Sequence, residues 1–373
     1  MTAFDDWLEA RARARQEAGL TRRLFASDAG GPMIDLAGND YLGLARHPRV
    51  VAGAVAAAER YGAGAGASRL VTGTLTVHDE LEQALASFTG FPAALAFSTG
   101  YHANLAVVAA LADADTLVVS DAHVHASMID ACRLSRGVVE VVPHNDVAAV
   151  EAALARRTRA RAVVLVETIY SVLGDVAPVA ALAEVCARHD ALLVADEAHA
   201  LGVCGPEGRG VLHAAGLAGQ GHVVATLTLS KSLGSQGGAV LSSPAVRDHL
   251  VNTARPFIYD TGLAPAAAGA ALAALDVVLD EPERVARVRA VAAVLAKAGG
   301  VPETDGAVLA IAMPGPQEAV AAVARAAEQG VRIGCFRPPS TPDGISRLRL
   351  TAHAHLSDAE LDTAAAVLEG LLG

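Results

Sequence analysis

One lysine stands in the stretch that carries the most distinctive chemistry of this sequence. Residues 226–238 are apolar and β-prone up to Leu229, and then change to glycine and small hydroxyl residues around Lys231. Lys231 and Lys297 are the only two lysines of the chain. Burial at the end of a strand lowers the pKa of a lysine amine and makes it a nucleophile able to form a Schiff base. A lysine that merely extends its amine into solvent is an equally simple interpretation.

Other polar groups follow the predicted strands in the same way. They stand at 98–101, 120–127, 167–175, 196–199 and 231. Because parallel strands end at one edge of a sheet, we expect these groups to converge there. Several polar segments at one edge are difficult to explain as core packing. Residues from Ser98 also open a predicted helix, whose free N–H groups favour an anion.

The elements that must position these groups alternate between strands and helices. Apolar, β-prone runs occur at 93–98, 116–120, 138–142, 161–167, 191–196, 222–229 and 237–242. Helical patterns lie between most of them, at 79–88, 102–111, 146–156 and 178–189. This alternation predicts an α/β domain with a mostly parallel seven-stranded sheet. A short glycine turn at 234–237 joins the last two strands and could reverse the chain direction.

The two ends of the chain have different patterns. Helices are predicted at 4–20 and 48–60, and later at 265–280, 283–298 and 316–329. Short strands accompany the later helices at 307–312, 331–334 and 346–351. Residues 347–350 (Arg-Leu-Arg-Leu) alternate as a half-buried strand does. We therefore predict an N-terminal helix and arm over 1–45, a large domain over 46–264 and a smaller α+β domain over 265–373.

The composition excludes several classes of protein. Of 373 residues 53% are hydrophobic and 18% charged, which indicates a compact fold, and the net charge of −11 argues against nucleic acid as the main partner. The four cysteines form no CxxC pair, as is typical of a reduced compartment. The N-terminus lacks the apolar core of a signal peptide, and the run 264–279 is too short for a membrane span. We expect a cytoplasmic protein.

Three local patterns suggest other functions. The glycine-rich stretch 62–69 lacks the Lys-Ser or Lys-Thr of an ATPase phosphate loop, so a flexible crossing near a ligand or another subunit is favoured. Residues 196–199 (Asp-Glu-Ala-His) follow an apolar strand, as a similar segment does in helicases. A helicase also needs the phosphate loop with its lysine, which this chain lacks. The histidines His123, His125 and His199 lack the spacing of a metal motif, so no metal is expected.

Pyridoxal phosphate chemistry fits the groups that remain. This cofactor needs a lysine for its aldehyde, an acid facing its ring nitrogen, a planar group over the ring and donors for its phosphate. Lys231 follows Asp196 by 35 residues, about one helix and one strand. Both residues would then lie at neighbouring strand ends, with Asp196 as the acid and Lys231 as the Schiff-base lysine.

Five ordered motifs resemble those of the α-oxoamine synthases, pyridoxal phosphate enzymes of fold type I that condense an amino acid with an acyl thioester. They lie at 39–44, 125–127, 195–199, 226–234 and 347–350, and the resemblance covers essentially the whole chain. It implies L-alanine and a pimeloyl thioester, on coenzyme A or a carrier protein, as in biotin biosynthesis. It also implies a homodimer with active sites at the interface. Sister enzymes that use glycine with acetyl-CoA or succinyl-CoA are the alternative.

The resemblance also implies a role for each matching residue. Lys231 would hold the cofactor and act as base, Asp196 would face the ring nitrogen, and His125 would stack on the ring. The implied cofactor contacts are Gly100, Tyr101, His125, Ser171, Asp196, His199, Thr228 and Lys231. The implied substrate contacts are Arg22, Asn39, His125, Ser340 and Arg349.

Some of these implications concern the substrates and the departures from the family pattern. Arg349 would bind the carboxylate of the amino acid through its guanidinium fork. Arg22 would contact the acyl substrate, with Arg23 as the competing residue. Leu173 and Ala200 replace the aspartate and glycine common in relatives, and we expect them to tune the site without removing a required group.

Overall fold

The computed structural model describes residues 2–22, 24, 26, 31–338, 340, 341 and 343–372. Within these residues the helices are α1 Ala3–Glu17, α2 Pro48–Tyr61, α3 Thr76–Thr89, α4 Gly100–Leu111, α5 Ala126–Leu134, α6 Val147–Ala155, α7 Val179–Arg188, α8 Val211–Ala214, α9 Pro244–Thr253, α10 Arg255–Ile258, α11 Pro265–Asp280, α12 Glu283–Ala298, α13 Pro316–Glu328 and α14 Asp358–Leu372. The strands are β1 Ile34–Leu36, β2 Ala93–Phe97, β3 Thr116–Asp121, β4 Val138–Val142, β5 Arg161–Glu167, β6 Leu192–Asp196, β7 Val223–Thr228, β8 Gly238–Ser242, β9 Val308–Ala312, β10 Val331–Phe336 and β11 Arg347–Thr351.

A large sheet of seven described strands has the order β2-β8-β7-β6-β5-β3-β4. The strands from β4 to β7 pair in parallel, whereas β8 runs antiparallel to both β7 and β2. The predicted mostly parallel α/β sheet is confirmed, and the glycine turn at 234–237 does reverse the chain. Successive residues of β5 enter two separate buried clusters, Val163 and Leu165 in one and Val164 in the other. The strand is a continuous apolar run because both faces of the sheet are covered.

A second sheet contains four described strands in the order β1-β10-β11-β9. Its edge strand β1 comes from the N-terminal part of the chain and pairs in parallel with β10, with Ile34 opposite Val331. The other pairs are antiparallel and place Gly334 opposite Arg349. The N-terminal arm is therefore part of the C-terminal sheet, while the division of the chain at residues 45 and 264 stays a prediction.

The prediction that 347–350 form a half-buried strand is wrong, because every residue of β11 is buried. Arg347 and Arg349 are only 8% and 4% exposed. Buried guanidinium groups need partners. Arg347 bonds the carboxylate of Asp343, and Arg349 bonds the backbone oxygen of Ser171. The alternation of charge along this strand reflects two sets of buried partners and not a solvent face.

The alanine-rich run from residue 265 forms α11, which packs closely against α2. Gly53 of α2 and Gly269 of α11 face each other, and a Cβ atom added at Gly53 would lie 2.7 Å from the backbone oxygen of Gly269. Glycine at this crossing is what permits the two backbones to approach. In the described part of the chain, no helix is long and apolar enough to cross a membrane.

Candidate active site

A pocket of about 200 Å³ lies at the carboxyl edge of the large sheet. The residues singled out in the sequence that line it are Gly100, Tyr101, His125, Asp196, His199, Thr228 and Lys231. They come from the ends of β6 and β7, the segments that follow these strands, and the starts of α4 and α5. Neighbouring parallel strands end at the same edge, which is why residues far apart in the sequence meet here.

A chain of polar side chains ends at the amine of Lys231. Its Nζ lies 2.7 Å from His199 Nε2, and His199 Nδ1 lies 2.7 Å from the hydroxyl of Tyr41. Tyr41 is fully buried and its hydroxyl also donates to Asn39 Oδ1 at 3.0 Å. Burial raises the pKa of Tyr41 to about 12, and burial together with the charge of Lys231 lowers the pKa of His199 well below its ordinary value. Lys231 therefore meets a neutral imidazole.

Burial shifts the amine of Lys231 toward its neutral form. Burial lowers the pKa of the Lys231 amine to about 8, although the carboxylates of Asp196 and Glu167 act in the opposite direction. Glu167 stands beside Asp196 in the register of β5 and β6. Burial and then the charge of Asp196 raise the pKa of Glu167 to about 8, so this neighbour is mostly protonated at pH 7. A lysine in this setting can act as a nucleophile near neutral pH.

The carboxylate of Asp196 is buried and its two oxygens are held separately. Oδ2 accepts a hydrogen bond from Asn104 Nδ2 at 2.7 Å, and Oδ1 accepts one from the backbone N–H of Ala198 at 2.9 Å. Asn104 belongs to α4 and precedes Asp196 by 92 residues in the sequence. The carboxylate is thereby fixed in direction at the pocket wall.

His125 precedes α5 and lines the same pocket. Its Nδ1 accepts a hydrogen bond from the backbone N–H of Ser127 at 3.2 Å and lies 2.7 Å from the Ser127 hydroxyl. The ring of Tyr101 meets it edge-on, with centroids 6.4 Å apart, and the Tyr101 hydroxyl bonds Asp130. Burial lowers the pKa of His125. A neutral planar imidazole is thus available at the pocket.

The first turn of α4 forms the remaining side of the pocket. Thr99 caps the helix by accepting from the N–H of His102, while the first-turn N–H groups of Gly100 and Tyr101 have no partner within the helix. A Cβ atom added at Gly100 would lie 3.0 Å from Cβ of Thr228, so glycine keeps this cradle open. An anion cradle, an amine, a carboxylate and a planar imidazole around one pocket are the set that pyridoxal phosphate requires.

Three of the predicted residues, Asn39, Ser171 and Arg349, form a group that does not line this pocket. Arg349 Nε donates to the backbone oxygen of Ser171 at 2.7 Å, and both terminal nitrogens lie 3.3 Å from Asn39 Oδ1. Ser171 is in turn held by Glu167, which accepts from its N–H at 2.9 Å. Because Asn39 also bonds Tyr41, this group is linked to His199 and Lys231.

The structure brings Arg22 and Ser340 together, but at a second pocket. Arg22 donates to the Ser340 hydroxyl at 3.0 Å, and both residues line a pocket of about 210 Å³. Phe336 also lines this pocket, and its ring centre lies 5.3 Å from Cζ of Arg349. The competing Arg23 lies outside the described residues.

Sequence reasoning gave no role to four residues that the structure places in these networks. Tyr41, Asn104, Ser127 and Glu167 are each at most 2% exposed. Tyr41 and Ser127 lie inside the family-like motifs 39–44 and 125–127, and Glu167 ends a predicted strand, so the sequence does mark these three positions. Asn104 has a weaker signal, as a lone amide in an apolar stretch of helix.

The glycine-rich stretch 62–69 lies in different surroundings from Leu173 and Ala200, the two residues that depart from the family pattern. Arg69, at the end of 62–69, is buried and pairs with Glu82 at 3.0 Å. The contribution of this stretch to another subunit stays a prediction. Ala200 is fully buried directly after His199, whereas Leu173 is partly exposed. Their tuning effect also stays a prediction.

We expect Lys231 of the cofactor-free protein to react with an acylating reagent with a pH midpoint near 8. Only the neutral amine reacts, and burial lowers the pKa to about 8 from an ordinary value of about 10.4. Reactivity should therefore rise between pH 7 and 9. The extent of labelling is read by mass spectrometry, and exposed Lys297 on α12 is the internal control in the same digest. A midpoint for Lys231 above about 10 would contradict this account.

Comparisons with known proteins identify relatives that belong to one family. Residues 31–368 match the profile of the family described as aminotransferase class I and II. A protein of Mycobacterium sp. (strain JLS), named 8-amino-7-oxononanoate synthase, is 56% identical over 367 residues, which are 98% of this chain and 96% of that protein. A serine palmitoyltransferase from S. paucimobilis, solved with pyridoxal phosphate and myriocin, is 30% identical with a TM-score of 0.91, covering 98% and 96% of the two chains. The solved 8-amino-7-oxononanoate synthase of Francisella tularensis has a TM-score of 0.77 at 23% identity, covering 91% and 98%, which is a likeness of fold.

Proposed function

Because this chain belongs to the aminotransferase class I and II family, and within it to the 8-amino-7-oxononanoate synthases, we propose that it condenses L-alanine with a pimeloyl thioester. It is an acyltransferase of biotin biosynthesis that uses pyridoxal phosphate. The proposed products are 8-amino-7-oxononanoate, CO₂ and the free thiol of coenzyme A or a carrier protein. The supporting observation is the 56% identity to the mycobacterial enzyme across 98% of the chain, against 30% to a serine palmitoyltransferase.

The pocket residues have distinct proposed tasks toward the cofactor. Pyridoxal phosphate, when bound, supplies an aldehyde for amines and a ring that withdraws electrons from bonds at the carbon next to the captured nitrogen. Lys231 would hold the aldehyde and Asp196 would face the ring nitrogen. His125 would stack on the ring, and His199 would contact the ring hydroxyl. The phosphate would be held by Gly100, Tyr101 and Thr228, with Ser171 as a further contact.

Lys231 is also the proposed base. Its neutral amine, favoured by burial, would take the proton from Cα of alanine and later return a proton to the same carbon. His199 lies 2.7 Å from this amine and is itself held by Tyr41, so the amine is kept in one place while it exchanges protons. The task needs an amine that is neutral near pH 8, which an exposed lysine is not.

The proposed bond changes balance without a further reagent. A bond forms between Cα of alanine and the carbonyl carbon of the thioester, and the thiol leaves. The alanine carboxylate is then lost as CO₂, and a proton replaces it at Cα. Arg349 is proposed to bind that carboxylate before its loss, with Asn39 as the residue that orients it.

Further proposals concern the acyl substrate and the assembly. Arg22 and Ser340 are proposed to contact the acyl chain or its carrier, since their pocket adjoins Arg349 through the ring of Phe336. We also propose that the chain forms a homodimer in which residues 62–69 contribute to the active site of the other subunit. The domain boundaries at residues 45 and 264 remain a proposal as well. A cytoplasmic location is supported by the four cysteines, which are all within the described residues and are free thiols.

Product analysis tests the function directly. The purified enzyme is incubated with pyridoxal phosphate, L-alanine and pimeloyl-CoA, and the products are identified by mass spectrometry. We expect 8-amino-7-oxononanoate as the product. Turnover should be at least about 100-fold lower when the substrates are glycine and acetyl-CoA, or glycine and succinyl-CoA. Preferred turnover of either glycine combination, or of serine with palmitoyl-CoA, would assign the chain to a sister activity.

A further inference from the structure

The amide of Asn104 joins two of the pocket residues through hydrogen bonds made by both of its N–H groups and by its oxygen. Nδ2 lies 2.7 Å from Asp196 Oδ2 and 2.9 Å from the Ser127 hydroxyl, and Oδ1 lies 2.6 Å from the Thr226 hydroxyl. Asn104, Ser127 and Thr226 are each at most 2% exposed. The network therefore lies out of solvent, where every donor needs an acceptor.

The direction of each hydrogen bond follows from the chemistry of the groups. A carboxylate only accepts, so the atom of Asn104 at 2.7 Å from Asp196 must be the NH₂ group. Its second hydrogen then points to the Ser127 oxygen, and the amide oxygen accepts from the Thr226 hydroxyl. The orientation of the amide is thus set by the charge of Asp196.

The same reasoning fixes the proton of His125. The backbone N–H of Ser127 can only donate, and it meets His125 Nδ1 at 3.2 Å. The Ser127 oxygen accepts from Asn104, so its own hydrogen is free to donate to the same Nδ1 at 2.7 Å. An imidazole nitrogen that accepts from two donors carries no proton. Nε2 makes no hydrogen bond to any residue that the structure describes, and it must carry the proton of the neutral ring.

We propose that Asn104 and Ser127 are positioning residues that couple Asp196 to His125 and hold His125 in the tautomer protonated on Nε2. One amide then performs two tasks: it aims the carboxylate of Asp196 and it frees the Ser127 hydrogen for His125. The consequence is a fixed N–H donor at the pocket, suited to an oxygen atom of a bound substrate or cofactor. The proposal rests on the pocket being the proposed cofactor site, but not on which amino acid or acyl thioester is used.

The charges around His125 agree with a neutral ring. Burial lowers its pKa, and the positive charge of Lys231 acts in the same direction, while Asp196 and Asp130 oppose it. His125 is therefore uncharged near pH 7.5, and its ring carries a single proton on one of the two nitrogens.

Nuclear magnetic resonance of the ring nitrogens tests this assignment. The full-length holoenzyme is labelled with ¹⁵N-histidine, and the His125 signals are identified by their loss in His125→Gln. We expect an unprotonated Nδ1 and a protonated Nε2 at pH 7.5. A protonated Nδ1, or an even mixture of the two tautomers, would overturn the proposal.

Two variants test the relay itself. In Asn104→Asp the new carboxylate accepts the Ser127 hydrogen, and in Ser127→Ala that hydrogen is absent, so both should increase the Nδ1-protonated share of His125. Asn104→Asp should also weaken binding of pyridoxal phosphate by about tenfold or more, because it replaces a donor to a buried carboxylate. Thr89→Val, which removes a buried hydroxyl of α3 bonded to Leu85, is the matched control and should change neither quantity. An unchanged tautomer in both variants would refute the relay even if the enzyme makes the proposed product.

Discussion

Replacing Lys231 with alanine is expected to lower turnover by about four orders of magnitude or more. The methyl group can neither hold an aldehyde nor accept the proton from the amino acid, so covalent catalysis and general-base catalysis are both lost. The hydrogen bond between Tyr41 and His199 does not involve the amine and can persist, so the fold should survive. Turnover is measured by product formation from alanine and pimeloyl-CoA.

Lys297 gives this experiment a matched control, because it is the second of only two lysines and lies exposed on α12. Lys297→Ala should keep the turnover of the unmodified enzyme. Borohydride treatment of the holoenzyme should leave the cofactor attached to the peptide that contains Lys231 and not to the peptide with Lys297. Substantial turnover in Lys231→Ala, or attachment at Lys297, would remove the basis of the active-site assignment.

Replacing Asp196 with asparagine is expected to lower turnover by about 100- to 1,000-fold, the range found when one preorganised electrostatic contact of an active site is removed. The substitution preserves shape, but its single amide oxygen can accept from only one of Asn104 and Ala198, and it removes the negative charge that would face the ring nitrogen. Binding of pyridoxal phosphate should weaken as well, and both quantities are measured by titration of the cofactor-free enzyme and by product formation.

The adjacent residue supplies the control for this charge. Glu197 is also buried, but its carboxyl accepts from the backbone N–H of Leu212 at 2.9 Å. Burial raises the pKa of Glu197 to about 7, so the amide of Glu197→Gln resembles its protonated form. We expect this variant to keep turnover within about threefold. If Asp196→Asn retained as much activity as Glu197→Gln, Asp196 would not be the partner of the cofactor.

Much of the large sheet could be predicted from the sequence, since its central strands are apolar runs that end in polar residues. The run to Asp196 and the run before Lys231 are examples, and the rule that parallel strands share an edge was enough to expect these two residues together. The order β2-β8-β7-β6-β5-β3-β4 did not follow from that rule. Strand pairing depends on which faces are covered, and this is a property of the whole fold.

The features that escaped prediction depend on contacts between distant segments. Arg349 is 4% exposed because Ser171 and Asn39 surround its guanidinium, and neither is near it in the sequence. The partners of Asn104 lie on three other segments, so the apolar stretch around it indicates burial but not which groups its amide meets. Periodicity reports which residues face inward, but it does not report what a buried polar group will meet there.

The pairing of β1 with β10 has a consequence for the order in which the molecule is built. The ribosome releases Ile34 about 300 residues before Val331, so β1 has no strand to join during nearly all of synthesis. Asn39 and Tyr41 follow β1 directly, and Arg349 emerges later still. The large sheet can gather Lys231 and Asp196 early, but the nascent chain completes the candidate site only after Val331 and Arg349 have left the exit tunnel.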